Sequence, residues 1–310
     1  MIELSIVIPT YRGADSLGEL LEGLGAVCRA RGLNHEVVIV NDDSPDDTWD
    51  VLEKLAPSHP ELVAIDLLHN HGQAVATMCG LAHARGTLVA TMDDDLQHPP
   101  EELPKLLDAI AERPEIDAAV GWWERDQGFA RNIGSWMHGF VDRVAYGTPK
   151  GFRHSAFRVM RRPVVDSLVQ HQTRTPVMSP LLRQATRKVL NVTVEHHPRP
   201  YGRSNFRFMH GIVTVFTNLF QASTLPLRLL SRFGLMVSIL AFIGGAIVLG
   251  RWILGANPPA GWVSSFLGVM FFGGASLFGL GLLGEYVHLI IKEVRQPPRW
   301  SVRARLGGEP

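Results

Sequence analysis

Two different hydrophobic rhythms divide the chain. Up to about residue 200, short β-branched runs alternate with amphipathic stretches. Leu4-Ser5-Ile6-Val7-Ile8 reads as a strand ending at Pro9, and apolar positions spaced three and four apart from Ser16 to about Arg31 read as a helix. Glu36-Val37-Val38-Ile39-Val40 reads as a second buried strand, with a helix opening near Asp46. Leu62–Leu68 predicts a third strand, Gly72–Arg85 a helix and Thr87–Met92 a fourth strand. That alternation predicts a doubly wound, mostly parallel sheet, whose ligands bind beyond the carboxyl ends of the strands.

From about 206 to 291 the pattern changes. Apolar residues at Phe208/Met209, Ile212/Val213, Val215/Phe216 and Leu219/Phe220 face Thr214, Thr217, Asn218 and Gln221, which predicts an amphipathic helix over 206–228. Such a helix can lie in a membrane interface or pack on the preceding domain. No charged residue stands between Arg232 and Arg251, and none between Arg251 and Glu285. Each stretch is long enough for a membrane-spanning helix, so 229–291 reads as two spans with a short loop near 255–262. Trp252 and Trp262 stand where interface anchors belong. Arg228 and Arg232 precede the first span, and Lys292, Arg295, Arg299, Arg303 and Arg305 follow the second. The positive-inside rule then places the domain 1–205 and the tail 292–310 together in the cytoplasm, at the cell inner (plasma) membrane.

Composition narrows the function. The formal net charge is +0, which argues against nucleic acid as a partner. Two cysteines, Cys28 and Cys79, cannot make a disulfide framework and fit a reduced compartment. The N-terminus runs straight into a strand, without the basic start and apolar core of a signal peptide.

The chemistry-bearing residues follow the predicted strands: Thr10-Tyr11, Asn41 to Asp47, and Asp93 to Gln97. No GxGxxG follows the first strand and no GxxxxGK[ST] occurs, so dinucleotide oxidoreductases and P-loop enzymes fit poorly. Asp93 and Asp95, two apart, share one face of an extended segment. Adjacent carboxylates repel unless solvated or neutralised, and Mg²⁺ is commonly held by one or two carboxylates plus substrate phosphates. A solvated acidic loop capping the next helix is the plainer alternative.

Ser5-Ile6-Val7-Ile8-Pro9-Thr10-Tyr11, Val40-Asn41-Asp42-Asp43-Ser44, Asn70-His71-Gly72-Gln73 and Asp93-Asp94-Asp95-Leu96-Gln97-His98-Pro99-Pro100-Glu101, in this order, resemble family-2 glycosyltransferases of GT-A fold. The likeness is greatest to the polyprenyl-phosphate glycosyltransferases, the group with dolichol-phosphate mannose synthase and the bacterial two-span enzymes. Arg199-Pro200-Tyr201-Gly202-Arg203-Ser204 and Gly279–Tyr286 match that group downstream. The resemblance implies a GT-A domain, a Rossmann-like mixed sheet, that moves a sugar with inversion from a nucleotide-sugar, UDP-linked by analogy, to a polyprenyl phosphate such as undecaprenyl phosphate. It implies Mg²⁺ or Mn²⁺ as cofactor, the lipid bilayer as partner, and a homo-oligomer, a tetramer by analogy.

Residue by residue, the resemblance assigns nucleotide-sugar binding to Pro9, Thr10, Tyr11, Asp42, Asp43, Gln73, Asp93, Asp94, Arg131 and Ser204. It assigns the cation to Asp93, Asp95 and Gln97, and catalysis to Asp95 and Arg199. Two departures stand out. Phe152 occupies the place where bacterial relatives carry an Asp, shortly before Phe157-Arg158, and Asn205 replaces a usual Lys. They motivate one rival reading, a catalytically inactive scaffold. Gln296-Pro297-Pro298-Arg299-Trp300 fits the QxxRW pattern of processive polysaccharide synthases and motivates another, although here it follows the last span.

Overall fold

The computed structural model of the chain describes residues 2–123, 153, 155–171, 173, 176–198, 261–294 and 299–308, with a few isolated positions between 232 and 254. Two compact units are present. The first holds the sheet and the residues from 299 onward; the second holds the long helix Trp262–Val294.

In the first unit the chain runs β1 (Leu4–Thr10), α1 (Leu17–Ala30), β2 (His35–Asn41), α2 (Thr48–Leu55), β3 (Leu62–Leu67), α3 (Gln73–His83), β4 (Leu88–Thr91) and α4 (Leu103–Ala111). It continues with β5 (Ala118–Trp122), β6 (Arg158–Arg161), α5 (Arg162–Gln170), α6 (Met178–Ala185) and β7 (Val189–Thr193). Helix α7 (Trp262–Val294) follows, and β8 (Val302–Leu306) completes the sheet.

Among the described residues the sheet has eight strands, in the order β7-β5-β6-β4-β1-β2-β3-β8. Strands β3, β2, β1 and β4 are parallel, as the alternation predicts. Strand β6 enters antiparallel between β4 and β5, and β8 runs antiparallel on β3, so the sheet is mixed. The period of two sorts each strand between two apolar layers. Leu4, Ile6 and Ile8 face α1, α2 and α4, whereas Val7, Val38 and Val40 face α3, α5 and α6. Both cysteines are free and buried, and burial pushes the Cys79 thiol up to about 12.

Pro9 lies inside β1 rather than ending it, because its missing donor falls where no partner waits. The Val7 carbonyl accepts the Met92 N–H, so odd-numbered residues of β1 turn their backbone groups toward β4. The β1–β4 pairing stops at Val7 opposite Thr91, so Pro9 removes no ladder bond.

The other end of these strands is tied by a buried polar knot. Ser5 Oγ donates to Glu36 Oε1 at 2.6 Å and accepts from the Gly86 N–H at 2.7 Å. The Arg85 N–H donates to Glu36 Oε1 at 2.7 Å, and its Nε to Oε2 at 2.9 Å. Gly86 is required for close approach, since a Cβ there would stand 2.5 Å from the Ser5 backbone nitrogen.

Helix α7 spans 33 residues with no charged residue before Glu285. Val269, Phe271, Phe272, Leu280, Leu283, Val287 and Ile290 are exposed on it. Counted over the described residues alone, no helix is long and apolar enough to cross a membrane, and several α7 side chains lie outside them. The amphipathic helix expected over 206–228 also lies outside the described residues, as does nearly all of the first expected span.

Gly86→Ala therefore sets a Cβ against backbone that cannot yield. It should cost about 2 kcal/mol, as overpacking does, lowering the melting temperature by roughly 4–8 °C for a domain of this size. Thermal unfolding followed by circular dichroism checks this; an unchanged midpoint would show that the α3–β4 corner can relax.

Candidate active site

The chain goes from β1 to β2 to β3 on one side of the sheet and then crosses back to β4 beside β1. Such a reversal opens a crevice between the two strands at their carboxyl ends. An open cleft lies there, with about 580 Å³ of empty space including solvent at its mouth, lined by Pro9, Thr10, Tyr11, Asp42, Gln73, Asp93, Asp94 and Asp95. Eight of the residues picked out in the sequence thus meet at one place, although they are spread along the chain from Pro9 to Asp95.

Each side of the cleft is held by bonds between elements. The Thr10 hydroxyl donates to Asp94 Oδ2, joining the end of β1 to the turn after β4. Gly13 permits this closeness, because a Cβ there would stand 2.2 Å from Thr10 Oγ1. Gln73 Nε2 donates to Asp93 Oδ1, bringing the first turn of α3 to the same turn. Asp95 Oδ1 accepts the Gln97 N–H at 3.1 Å, folding the aspartate run back on itself. Arg12, Asp43 and Leu96 all adopt positive φ, of 63°, 54° and 55°. One non-glycine residue at positive φ therefore follows each of β1, β2 and β4.

Asp42 is nearly fully buried, and both its oxygens are occupied. Oδ1 accepts the His71 N–H and Oδ2 the Gly72 N–H, each at 2.7 Å. Gly72, at φ 88°, caps α3, so the carboxylate sits at the positive end of that helix. Burial pushes the Asp42 carboxyl upward, and the two backbone donors pull it partly back. The Asn70 side-chain amide donates to the Asp42 carbonyl, so the 70–72 loop is clamped by this one residue.

Other predicted residues fall elsewhere. Asp43 turns away from the cleft lining toward Arg303 of β8, Oδ1 accepting from Nη2 at 2.9 Å. Gln97 also lies outside the lining; its amide nitrogen stands 3.3 Å from His196 Nε2. Beside it His98 packs against Phe157, Trp123 and His196, and Trp123 stacks on His196 at 4.0 Å. Trp123 thus packs among ring side chains beside the aspartate turn. Arg131, Arg199 and Ser204 lie outside the described residues, as do Phe152 and Asn205.

Among the described residues, no three His, Cys, Asp or Glu side chains converge as a metal cage. The donor set still fits a hard cation that takes part of its shell from substrate. Asp93 and Asp95 are carboxylates on an open cleft, and Mg²⁺ uses one or two such ligands together with phosphate oxygens.

Two arginines join the picture from the structure. Arg158 on β6 is 6% exposed; its Nη2 donates to the Ser155 carbonyl, while Nε and Nη1 have no partner among the described residues. Burial lowers it to about 10, with Asp93 pushing the other way, so a buried cation stands behind the aspartate cluster. Phe157-Arg158 was visible as a motif, but the depth of Arg158 was not. Arg303 belongs to an apolar-basic alternation, Val302-Arg303-Ala304-Arg305-Leu306, whose period of two is the signal of a strand.

Arg299 and Trp300, the last residues of the QxxRW-like run, line no part of the cleft. Arg299 donates from Nη1 to the His171 carbonyl at 2.6 Å and from Nη2 to the Val169 carbonyl at 2.9 Å. It caps the carboxyl end of α5, and Trp300 packs against the adjoining apolar layer.

Comparison with known proteins agrees with this geometry. Residues 5–169 match the family described as Glycosyl transferase family 2. The undecaprenyl-phosphate 4-deoxy-4-formamido-L-arabinose transferase of Klebsiella pneumoniae (strain 342) is 33% identical over 304 residues, 97% of this chain and 93% of that protein. The transferase of the same name from Sodalis glossinidius (strain morsitans) is 32% identical over 311 residues, 99% and 95% of the two chains. Among solved structures, mannosyl-3-phosphoglycerate synthase from Rubrobacter xylanophilus aligns with a TM-score of 0.51 at 19% identity, covering 70% of this chain and 73% of that one. That likeness bears on the fold alone, and supports the GT-A-like mixed sheet.

Asp42→Asn tests the clamp, since an amide cannot accept on both sides. The change should cost about 2 kcal/mol, as hydrogen bonds to a charged acceptor do. Hydrogen exchange at the His71 and Gly72 amides should quicken along with it. Unchanged exchange at those two amides would show that something else holds the loop.

Proposed function

The chain belongs to glycosyl transferase family 2, and from that premise we propose that it transfers a sugar from a nucleotide donor to a polyprenyl phosphate at a membrane surface. The observation that carries the proposal is the cleft between β1 and β4, where Thr10, Asp42 and Gln73 meet the three successive aspartates. Its chemistry suits a nucleoside diphosphate. Pro9, Thr10, Tyr11 and Asp42 offer a flat wall and polar edges for the base and ribose. Asp93, Asp94 and Asp95 offer carboxylates where the diphosphate and its counter-cation would lie.

The acceptor half rests on the relatives. Two transferases covering nearly all of this chain carry undecaprenyl-phosphate in their names. We propose the same acceptor class here, with a UDP-linked donor. In the reaction, an oxygen of the lipid phosphate attacks the anomeric carbon while the bond from that carbon to the nucleoside diphosphate breaks, with inversion. A phosphate monoester, with its second pKa near 6, is mostly a dianion at about pH 7, so it needs little help from a base. Phe152 in place of a carboxylate is then tolerable. A divalent ion bound beside Asp93 and Asp95 would supply charge neutralisation for the leaving diphosphate. The residues of the chain hold the donor in line: Thr10 and Gln73 orient the aspartates, and Asp42 fixes the 70–72 loop. Arg199 is proposed as a phosphate clamp.

The membrane part of the reading rests on sequence and on α7. An exposed apolar face of the kind α7 carries is costly in water and marks a partner or a lipid surface. The charge-free stretches 233–250 and 252–284 are long enough for two spans. Strand β8 pairs with β3 in the same sheet as β1, which supports a reading with β1 and β8 on one side of a membrane. An even number of spans satisfies that, with the positive flanks cytoplasmic.

Asp95→Asn separates charge from fold, because an amide oxygen can still accept the Gln97 N–H. Incubation with undecaprenyl phosphate, Mn²⁺ and a panel of nucleotide sugars, read by lipid mass, should give a sugar-phosphate lipid with the wild type and none with the variant. EDTA should abolish the wild-type product. Wild-type turnover by Asp95→Asn, or indifference to EDTA, would overturn the metal-assisted mechanism. No product with any donor would favour the inactive scaffold.

Topology is checked separately. An impermeant thiol reagent on intact cells should label a cysteine introduced by Ala260→Cys and leave one introduced by Glu309→Cys unlabelled. Labelling at 309 would overturn the cytoplasmic placement of the tail.

A further inference from the structure

Strand β8 does more than cover an edge of the sheet. We infer that Arg303 on β8 is a positioning residue for the nucleoside end of the cleft, holding the loop after β2 in its binding shape. The inference rests on the reading of that cleft as a nucleotide site, and it assigns the C-terminal segment a part in donor affinity.

Arg303 makes three contacts at 2.9 Å. Nη1 donates to Asp66 Oδ2, and Nη2 donates to Asp43 Oδ1 and to the Leu68 carbonyl. The planar fork of an arginine suits such a junction, and a lysine cannot reproduce it. Asp66 is buried, and its other oxygen accepts from Asn41 Nδ2 at 2.7 Å. Asn41 Oδ1 in turn accepts the Ser44 N–H, and Ser44 Oγ accepts the Arg12 N–H at 3.0 Å. The Arg12 guanidinium lies 5.4 Å from the centre of the Tyr11 ring, on the cleft wall. An unbroken chain of contacts therefore runs from β8 to the two loops that bracket the nucleoside end.

The backbone gives this chain something to hold. Asp43 takes φ 54°, a conformation that L-residues other than glycine rarely adopt, directly after Asp42. Such a residue stays there only when its surroundings over-determine it. Arg303 supplies that determination from outside the loop. The exposed pair with Asp43 alone would add little. The buried Asp66 carboxylate and the Leu68 carbonyl anchor the guanidinium, and Asp43 is then held by an immobile partner. Strand β8 is itself fixed by its ladder to β3, from Ala64 opposite Leu306 to Leu67 opposite Val302, and Arg299 docks the preceding turn on α5.

The test uses the full chain, purified in its membrane-mimetic, with UDP and GDP in the presence of Mn²⁺ as probes in calorimetry. Arg303→Ala should weaken UDP binding about tenfold, within the range for residues coupled through one hydrogen-bond network. Arg303→Lys should recover only part of the loss. Asp43→Asn should weaken binding less, and its effect should add less than fully to that of Arg303→Ala. In the transfer assay the Arg303→Ala loss should appear in the donor KM, with kcat little changed. Glu36→Gln, at the opposite end of the strands, controls for stability: it should lower the melting temperature and leave UDP affinity alone. UDP affinity within twofold of wild type in Arg303→Ala would overturn the inference while leaving the nucleotide site standing. An equal loss in Glu36→Gln would also overturn it, by reducing the effect to general destabilisation. Wild-type protein that binds neither UDP nor GDP would overturn the nucleotide reading and this inference together.

Discussion

The candidate site opens because β4 ends opposite Val7 while β1 runs three residues further. Their ladder closes at Val7 opposite Thr91, while β1 continues beside β2 to Thr10. Pro9 makes that separation cheap, since it turns a missing donor toward the gap. Past the gap, the two chain segments carry Thr10-Tyr11 and Asp93-Asp94-Asp95 on facing walls. The eight lining residues are arranged around a crevice that a continued ladder would have filled with backbone hydrogen bonds.

A crevice lined by so many carboxylates is electrostatically expensive, and the structure shows how the charge is managed. Asp42 is satisfied by two backbone donors at a helix start, and Asp93 and Asp94 by Gln73 and Thr10. Arg158 adds a buried positive charge from β6. These four hydrogen bonds link different strands and helices, so the arrangement that tolerates the charges also sets the width of the cleft. This is why small residues matter beside it: at Gly13 a side chain would intrude on the Thr10–Asp94 contact.

The C-terminal segment changes how the chain is organised. A stretch that reads as a tail returns to the first unit, capping α5 through Arg299 and adding β8 to the sheet edge. Arg299 and Trp300 of the QxxRW-like run thus make packing and capping contacts in the first unit. An added edge strand also covers the exposed backbone of β3, which would otherwise invite pairing with other chains.

Much of the first unit was legible in the residues themselves. Alternation placed β1, α1, β2, α2, β3, α3 and β4 close to where they stand, because a half-buried strand or helix writes its period into its own sequence. The cleft residues were legible as polar interruptions after apolar runs, since strand ends in such sheets are where side chains meet ligands. The places of antiparallel β6 and of β8 were not, because an alternation of four or five residues can mark a strand but cannot name a partner far away in the chain. Nor could any local pattern say that Asp43 would turn from the cleft to Arg303, or that Arg158 would be buried behind Asp93. Local sequence determines which face of an element is apolar, as hydrophobicity is a property of each residue. Which charge meets which is a property of distances between segments, and only the closing of the sheet, from β7 round to β8, decided those.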